Sequence, residues 1–422
     1  MTRIKPFKAI HYNTHKVGNP SLVMCPPYDV ISPAEQSDLH NLSPNNFVWV
    51  ELPRERPSDD KDDNRYTRAK KVFESWLEKN VLIEDEKPAI YFYKQEYSVM
   101  GVKHSRLGFI SLLKLENEGE STIHPHENTH AHAVEDRFTL WSTLKANLSS
   151  IFVCFSDKQK KVENIFLKHM TTAKPILDVT DPDKVRHVVW RLEDPKLIKE
   201  ITDSLESQNL FIADGHHRYK VATEIRKEKL SKRNKVTGEE PFNYVMTYFI
   251  NMDSRDLQIF PIHRVIKKLP KSLDFLEDNF RIDKVKSKED LLILLAKAGV
   301  NEHAFGLYTR DGIRLLRLKN KLLIDQEIKD GSTAFKHLDA TILKHFVLDR
   351  LGIRSEDIVY TKDLTQATAM VDENQAQASF ILNPVRIQQL KEIALNGERM
   401  PPKTTYFYPK VLSGLTVHRF DS

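Results

Sequence analysis

The chain has 422 residues, 40% of them hydrophobic, 29% charged and 9% aromatic, which describes a soluble globular protein of two or three domains, or one large domain with additions, rather than a disordered one. Sixty-four basic residues against 59 acidic ones leave a net charge of +5, so the balance carries no nucleic-acid signal. Two cysteines exclude a disulfide framework and fit a reducing cytosol.

The N-terminus "MTRIKPFKAIHYN" has no apolar core of the secretory kind, and no segment approaches the roughly 18 apolar residues of a membrane span. The expected location is therefore the cytoplasm. The lysine runs at 158–161 and 267–268 read as solvated faces, and no RNA-binding or zinc-finger spacing is present.

In chain order, "VMCPPYDVIS" is a rigid turn built on Pro26 and Pro27. Cys25 precedes it and reads as the more accessible thiol, whereas Cys154 lies in the apolar run "SSIFVCFS" and reads as buried. A polar loop over 54–64 leads into "NRYTRAKKVFESWLEKN". There Tyr66, Ala69, Phe73, Trp76 and Leu77 share a helical face and Asn64 is the N-cap. "AIYFYKQEY" and "RLGFISLLKL" are two strands of a sheet. Phe138, Trp141, Leu144 and Leu148 predict a helix over about 133–147, and "SSIFVCF" a buried strand.

"NLFIAD" is the next buried strand, followed by the helix "HHRYKVATEIRKEKL" with Val221, Ala222 and Ile225 on one face. "YVMTYFINM" is another strand, and a boundary is expected near Leu269-Pro270. Beyond it, "AFGLYT", "IRLLRL" and "ASFILN" are strands, and "LDATILKHFVLDRL" and "PVRIQQLKEIALNG" are helices. Pro384 fits the first turn of the last helix and Gly397 lies past its end. The chain closes with "MPPKTTYFYPKVLSGLTVHRF", a structured loop before a final strand. The expected class is α/β with mixed sheets flanked by helices, in three regions: 1–118, 119–269 and 270–422.

Four stretches could carry chemistry. "FIADGHHRYKVATEI" places Asp214 and Gly215 at a strand end and opens a helix on His216 and His217. Unpaired N–H groups at a helix start favour anions, and a glycine lets the backbone approach a ligand closely. Arg218 can fork phosphate oxygens, the histidines can bind phosphate, move protons or hold a metal, and Asp214 can act as general base or bind magnesium. The alternative is that Asp214 merely caps the helix. This is not a P-loop, because no G-x-x-x-x-G-K precedes it.

"HPHENTHAHAVEDR" gathers His124, His126, His130 and His132 with Glu127, Glu135 and Asp136. The donor types suit zinc, manganese or iron, but the spacing matches no strong metal pattern, so a surface cluster is an equal reading. Glu127 and Glu135 are candidate acid/base or magnesium residues, and Arg137 is a phosphate contact or a salt bridge. In "PPYDVIS", Tyr28 and Asp29 are either aimed at a pocket or part of an Asx turn. In "YFYPK", Lys410 is a candidate phosphate-binding cation, while Tyr406, Phe407 and Tyr408 are read as packing.

"CPPYDVIS", "PHENT" followed by "EDR", "IADGHHRY", "LNP" and "MPPKTTYFYPKVLSGL" occur in one order across nearly the whole chain. On these the chain is identified as a member of domain-of-unknown-function family one-thousand-and-fifteen. "DGHHR" is also similar to the motif of free serine kinases of the ParB/sulfiredoxin-like superfamily, over about ten residues. That resemblance implies a ParB/sulfiredoxin-like catalytic core and phosphoryl chemistry on serine or phosphoserine, with ATP or ADP as co-substrate and Mg²⁺ as cofactor. It implies Asp214 as base or metal ligand, and Gly215, His216, His217 and Arg218 as a phosphate cradle. It does not assign the acidic residue such kinases use elsewhere, for which Glu127 and Glu135 stand as candidates. The same parts serve a phosphatase, with water in place of the hydroxyl, or a nucleotide-binding regulator without turnover. The expected partners are a small molecule and a nucleotide; the charge balance and the lack of a helix-turn-helix argue against DNA.

Overall fold

In the computed structural model, which describes residues 3–117 and 119–421, the two "YFYKQEY" and "LGFISLLKL" runs form a long hairpin. Strand β2 (Ile90–Val99) and β3 (Val102–Lys114) are joined by Met100 and Gly101, with φ of 49° and 78°. Positive φ at both central residues is what a two-residue hairpin turn requires to match the twist of its strands. The short β1 (Ile4–Lys5) pairs with the far end of β3.

The chain divides into two compact units. Unit 1 comprises residues 1–125, 129–257 and 409–422. Its nine-stranded sheet adds to the hairpin β4 (Ile123–His124), β5 (Ile151–Phe155), β6 (Leu177–Thr180), β7 (Arg186–Leu192), β8 (Leu210–Asp214) and β9 (Tyr244–Asn251). The order is β4-β8-β5-β9-β3-β2-β7-β6, with β1 beside β3. Among the described residues only the β4–β8 and β5–β9 pairs of this sheet are parallel. Residues of β5 and β8 from Ile151 to Phe155 and Leu210 to Ala213 are all buried, so both faces of the sheet are covered at its centre.

Three of the longer helices carry site residues or their partners. Helix α1 (Arg65–Glu78) begins as its sequence predicts: the Asn64 side chain accepts from the N–H groups of Tyr66 and Thr67, and Ala69, Phe73 and Trp76 are buried. Helix α2 (Ala131–Leu144) buries Arg137, Leu140, Trp141 and Leu144 and stops at Lys145, whose φ is 55°. It therefore ends short of the expected residue 147, and Ala146–Asn147 pairs with the final strand His418–Arg419 instead. Helix α3 (His216–Ser231) buries Val221, Ala222 and Ile225 as expected.

Unit 2 comprises residues 126–128 and 258–408. Its six-stranded sheet runs β11-β13-β12-β15-β10-β14, built from β10 (His263–Ile266), β11 (Phe280–Val285), β12 (Ala304–Thr309), β13 (Gly312–Leu318), β14 (Ile358–Thr361) and β15 (Ala378–Ile381). Alternate residues enter two separate cores. Ile266, Leu316 and Phe380 join Phe280, Phe305 and Phe346 on one face, while Val265, Leu315 and Ile381 join Leu291, Leu295 and Val371 on the other. A period of two with apolar residues on both sides is the mark of a sheet covered twice. The last helix, Ile387–Leu395, starts three residues after Pro384, because the Gln389 side chain accepts from the Arg386 N–H and fixes the start there. "LDATILKHFVLDRL" is helical over Asp339–Leu351 with one wide turn at Lys344–Leu348.

The class is thus mixed α/β, as expected. Cys25, expected to be the accessible thiol, is buried like Cys154, because the diproline turn lies under the C-terminal loop. No helix among the described residues is long and apolar enough to cross a membrane.

Candidate functional site

Asp214 ends β8, and Gly215 turns the chain into α3. The turn requires glycine for two reasons. Its φ is 85°, in the left-handed region, and a Cβ there would lie 3.0–3.1 Å from Nε, Cζ and Nη2 of Arg218. Arg218, one helical turn on, folds its guanidinium over the bare turn and is only 2% exposed. It donates to the Ser150 carbonyl and, at 2.7 Å, to Asp214 Oδ2. Its Nε is buried with no hydrogen-bond partner among the described residues.

The other carboxylate oxygen, Asp214 Oδ1, accepts from Lys410 Nζ at 2.5 Å. Burial alone would raise the Asp214 carboxyl. Lys410, then Arg218 and His216, outweigh it and hold the group well below the usual carboxylate range. Two cations thus flank one carboxylate, and the cluster carries an excess positive charge at the start of a 16-residue helix whose N-cap, Gly215, has no side chain to cap the first turn.

Lys410 is delivered by the hairpin. Gln95 and Arg106 are cross-strand partners on β2 and β3. Arg106 Nε donates to Gln95 Oε1 at 3.0 Å, which turns the Gln95 amide nitrogen to the Lys410 carbonyl at 2.9 Å. Arg106 also donates to the Pro409 carbonyl. Both strand side chains are fully buried, so the loop sits on a rigid floor.

The diproline turn belongs to the same unit. Cys25 and Ser413 exchange backbone hydrogen bonds at 3.3 and 2.8 Å, which ties "CPPYD" to "PKVLSG". Tyr28, in the single turn Tyr28–Val30, lies under the Arg137 guanidinium at 4.3 Å. Burial, then Asp29, raises the Tyr28 phenol, against the pull of Arg137 and Arg218. Asp29 is exposed and lies within the field of Arg218. Arg137 is committed to a salt bridge: it forks onto Asp136 at 2.7 and 2.6 Å and donates to the Glu51 carbonyl at 2.5 Å. Asp136 also accepts from Arg65 at 2.7 Å and the Tyr66 hydroxyl at 2.9 Å.

Glu51, not singled out in the sequence, ends the short helix Val48–Glu51 and is 1% exposed. Its Oε1 accepts from Ser149 Oγ at 2.8 Å; Oε2 is buried with no hydrogen-bond partner among the described residues. Burial raises its carboxyl above the usual range, although Arg137 and Arg218 pull the other way. The only sequence signal is a lone acid at the end of the apolar run "FVWV".

Asp214, Gly215, His216, Arg218, Lys410, Tyr28, Asp29 and Arg137 thus share unit 1 with Glu51. His217 Nε2 accepts from the His130 N–H at 3.0 Å, at the start of α2. Glu135 is exposed on α2, about 200° round the helix from buried Arg137. Glu127 belongs to unit 2, where it accepts from the Lys403 N–H at 3.2 Å.

His124 contacts Asn209 at 2.8 Å, His126 contacts Thr405 in unit 2 at 3.3 Å, and His130 and His132 are exposed. No group of three or more His, Cys, Asp or Glu among the described residues is arranged to hold a metal. Asp214 in particular does not fit as a magnesium ligand, since both its oxygens already face cations. Arg218, Lys410, His216 and the helix start fit a phosphate group instead.

The family model described as "Protein of unknown function (DUF1015)" matches residues 4–341, and the chain belongs to that family. No curated protein matches the chain. Among solved structures, a conserved hypothetical protein from Pyrococcus furiosus is similar at 14% identity and a TM-score of 0.36, over 72% of this chain and 92% of that one. A free serine kinase in complex with AMP is similar at 13% identity and a TM-score of 0.36, over 71% and 86% of the two chains. SbnI from Staphylococcus aureus, truncated at its C-terminus, is similar at 10% identity and a TM-score of 0.36, over 72% and 85%.

Proposed function

We propose that this protein moves a phosphoryl group to or from a small hydroxy amino acid, with serine and O-phosphoserine as the pair to test. The observation that carries this reading is Asp214 held between Arg218 and Lys410 at a glycine turn that opens a helix. Asp214 acts as the anion that positions the two cations. Lys410, Arg218, Gly215 and His216 hold the phosphate. His217 and Arg137 support the helix start and the Tyr28 turn. Phosphoryl transfer is mostly positioning and charge stabilisation, and these groups supply both.

Glu51 takes the role of general base in place of Glu127 and Glu135. Its unpartnered oxygen receives the proton of the serine hydroxyl as the Oγ–P bond forms and the bond from phosphorus to the leaving nucleotide oxygen breaks. Tyr28 and Asp29 bound the amino-acid end, where a carboxylate suits an ammonium group. A nucleotide is the donor in this reading, and Mg²⁺ would come to the site on its phosphates rather than on a protein carboxylate.

Phosphorus NMR tests this on purified protein with Mg²⁺ and O-phosphoserine, with and without AMP or ADP. Phosphate appearing on the nucleotide identifies a kinase observed in reverse. Free phosphate without nucleotide identifies a phosphatase. Unchanged spectra in every tube overturn the proposal and leave a nucleotide-binding regulator to be tested by binding alone.

A further inference from the structure

Unit 2 contains a cavity of about 570 Å³ with two imidazoles on its wall, His303 and His337. His303 immediately precedes β12, and its carbonyl accepts from the Leu318 N–H at 2.9 Å. His337 follows the turn Thr333–Lys336. The "LNP" marker builds another wall: Asn383 Nδ2 donates to the Leu295 carbonyl at 3.0 Å, above Gly299. A Cβ at Gly299 would lie 2.6 Å from that amide nitrogen, so glycine is what lets the wall close.

Asp339 Oδ1 lies 2.8 Å from His303 Nδ1. A carboxylate at that nitrogen holds the proton there and leaves the Nε2 lone pair outward, the arrangement found behind metal-bound imidazoles. Nε2 then faces His337 Nδ1 at 3.3 Å, with ring centroids 5.3 Å apart. Two imidazoles converging on one tetrahedral zinc at about 2.0–2.1 Å place their nitrogens about 3.3 Å and their centroids about 5.2 Å apart. Two rings pointed head-on at the same nitrogen separation would hold their centroids at about 5.6 Å.

We infer that His303 Nε2 and His337 Nδ1 form a two-imidazole site for a divalent transition-metal ion such as zinc, with Asp339 orienting His303 and the remaining coordination positions open to the cavity. The charged residues on the wall, Glu302 and Asp339 against Lys321 and Arg386, balance, so the cavity does not repel a dication. The site is independent of the phosphoryl-transfer reading.

The test uses full-length protein without a histidine tag, freed of metal by a chelator. Co²⁺ is titrated with visible absorption, and Zn²⁺ by equilibrium dialysis. The expected result is one equivalent bound, with affinity reduced at least 50-fold in His303→Ala and in His337→Ala, and about tenfold in Asp339→Asn. His130→Ala/His132→Ala should bind as the natural protein does. Should His303→Ala fail to fold, the half-buried His337 supplies the decisive variant, with its melting temperature in metal-free buffer as the control. Absence of binding at millimolar metal overturns the site. So does full-strength binding in His337→Ala, which would leave only a hydrogen bond between two histidines.

Discussion

Asp214 Oδ1 and Lys410 Nζ meet at 2.5 Å although 196 residues separate them in the chain. Arg218 takes the other oxygen, so one carboxylate neutralises two cations, one of them fully buried. Asp214→Asn should therefore do more than stop turnover. It leaves Arg218 and Lys410 facing each other, and removal of one partner from a buried ion pair costs about 3–5 kcal/mol. Urea unfolding at neutral pH measures this; an unchanged midpoint would show that the triad does not exist in solution.

The same contact sets a pH dependence. The Asp214 carboxyl is depressed in the folded state, so its contribution is present above the ordinary value of about 3.9. It is lost as the pH falls from there toward the folded-state value. The natural protein should lose stability over that range, and Asp214→Asn should lose less over it.

Gly215→Ala tests the turn. The backbone penalty at positive φ is about 1–2 kcal/mol. The added methyl also meets the Arg218 guanidinium at 3.0–3.1 Å and must displace it. Binding of O-phosphoserine, followed by phosphorus NMR, should weaken by more than tenfold. If binding falls no more than stability explains, Arg218 does not hold the phosphate.

The strand–glycine–helix unit at Asp214 was readable because its period-two and period-3.6 patterns abut at one glycine. Asn64 as N-cap was readable for the same local reason. The partnership of Gln95, Arg106 and Lys410 was not, because cross-strand and loop contacts leave no short-range pattern. Glu51 was hidden by chemistry: a buried acid is recognisable only once Ser149 and Arg137 are seen beside it. The histidine run misled in the opposite direction. Its residues are close in sequence, yet neighbouring positions along the chain point to different partners.

Glu51→Gln separates a base from a buried structural acid. Burial raises this carboxyl, so the unfolded chain ionises first and stability falls as pH rises from about 4.3 through the folded-state value. The glutamine variant should lose that slope and be at least as stable at pH 8, since its amide oxygen can still accept from Ser149. Turnover should fall by about 10²–10⁴-fold, the usual contribution of a positioned base. Retained turnover would move the proton transfer to another group.

Lys410→Met gives the sharpest contrast with Asp214→Asn. Removing the lysine leaves Asp214 paired one to one with Arg218, so no uncompensated charge remains in the interior. The stability loss should be clearly smaller than for Asp214→Asn. Lys410 is also the leading attraction that holds the Asp214 carboxyl down, so that group should titrate higher in the variant. The excess positive charge disappears with the lysine, whereas Asp214→Asn keeps both cations, so phosphate affinity should fall further in Lys410→Met than in Asp214→Asn. Urea unfolding and phosphate binding on the two variants therefore give opposite rankings if Lys410 is a ligand cation. Equal losses of stability would instead make it a structural counter-ion of Asp214, with Arg218 and the helix start left to hold the phosphate alone.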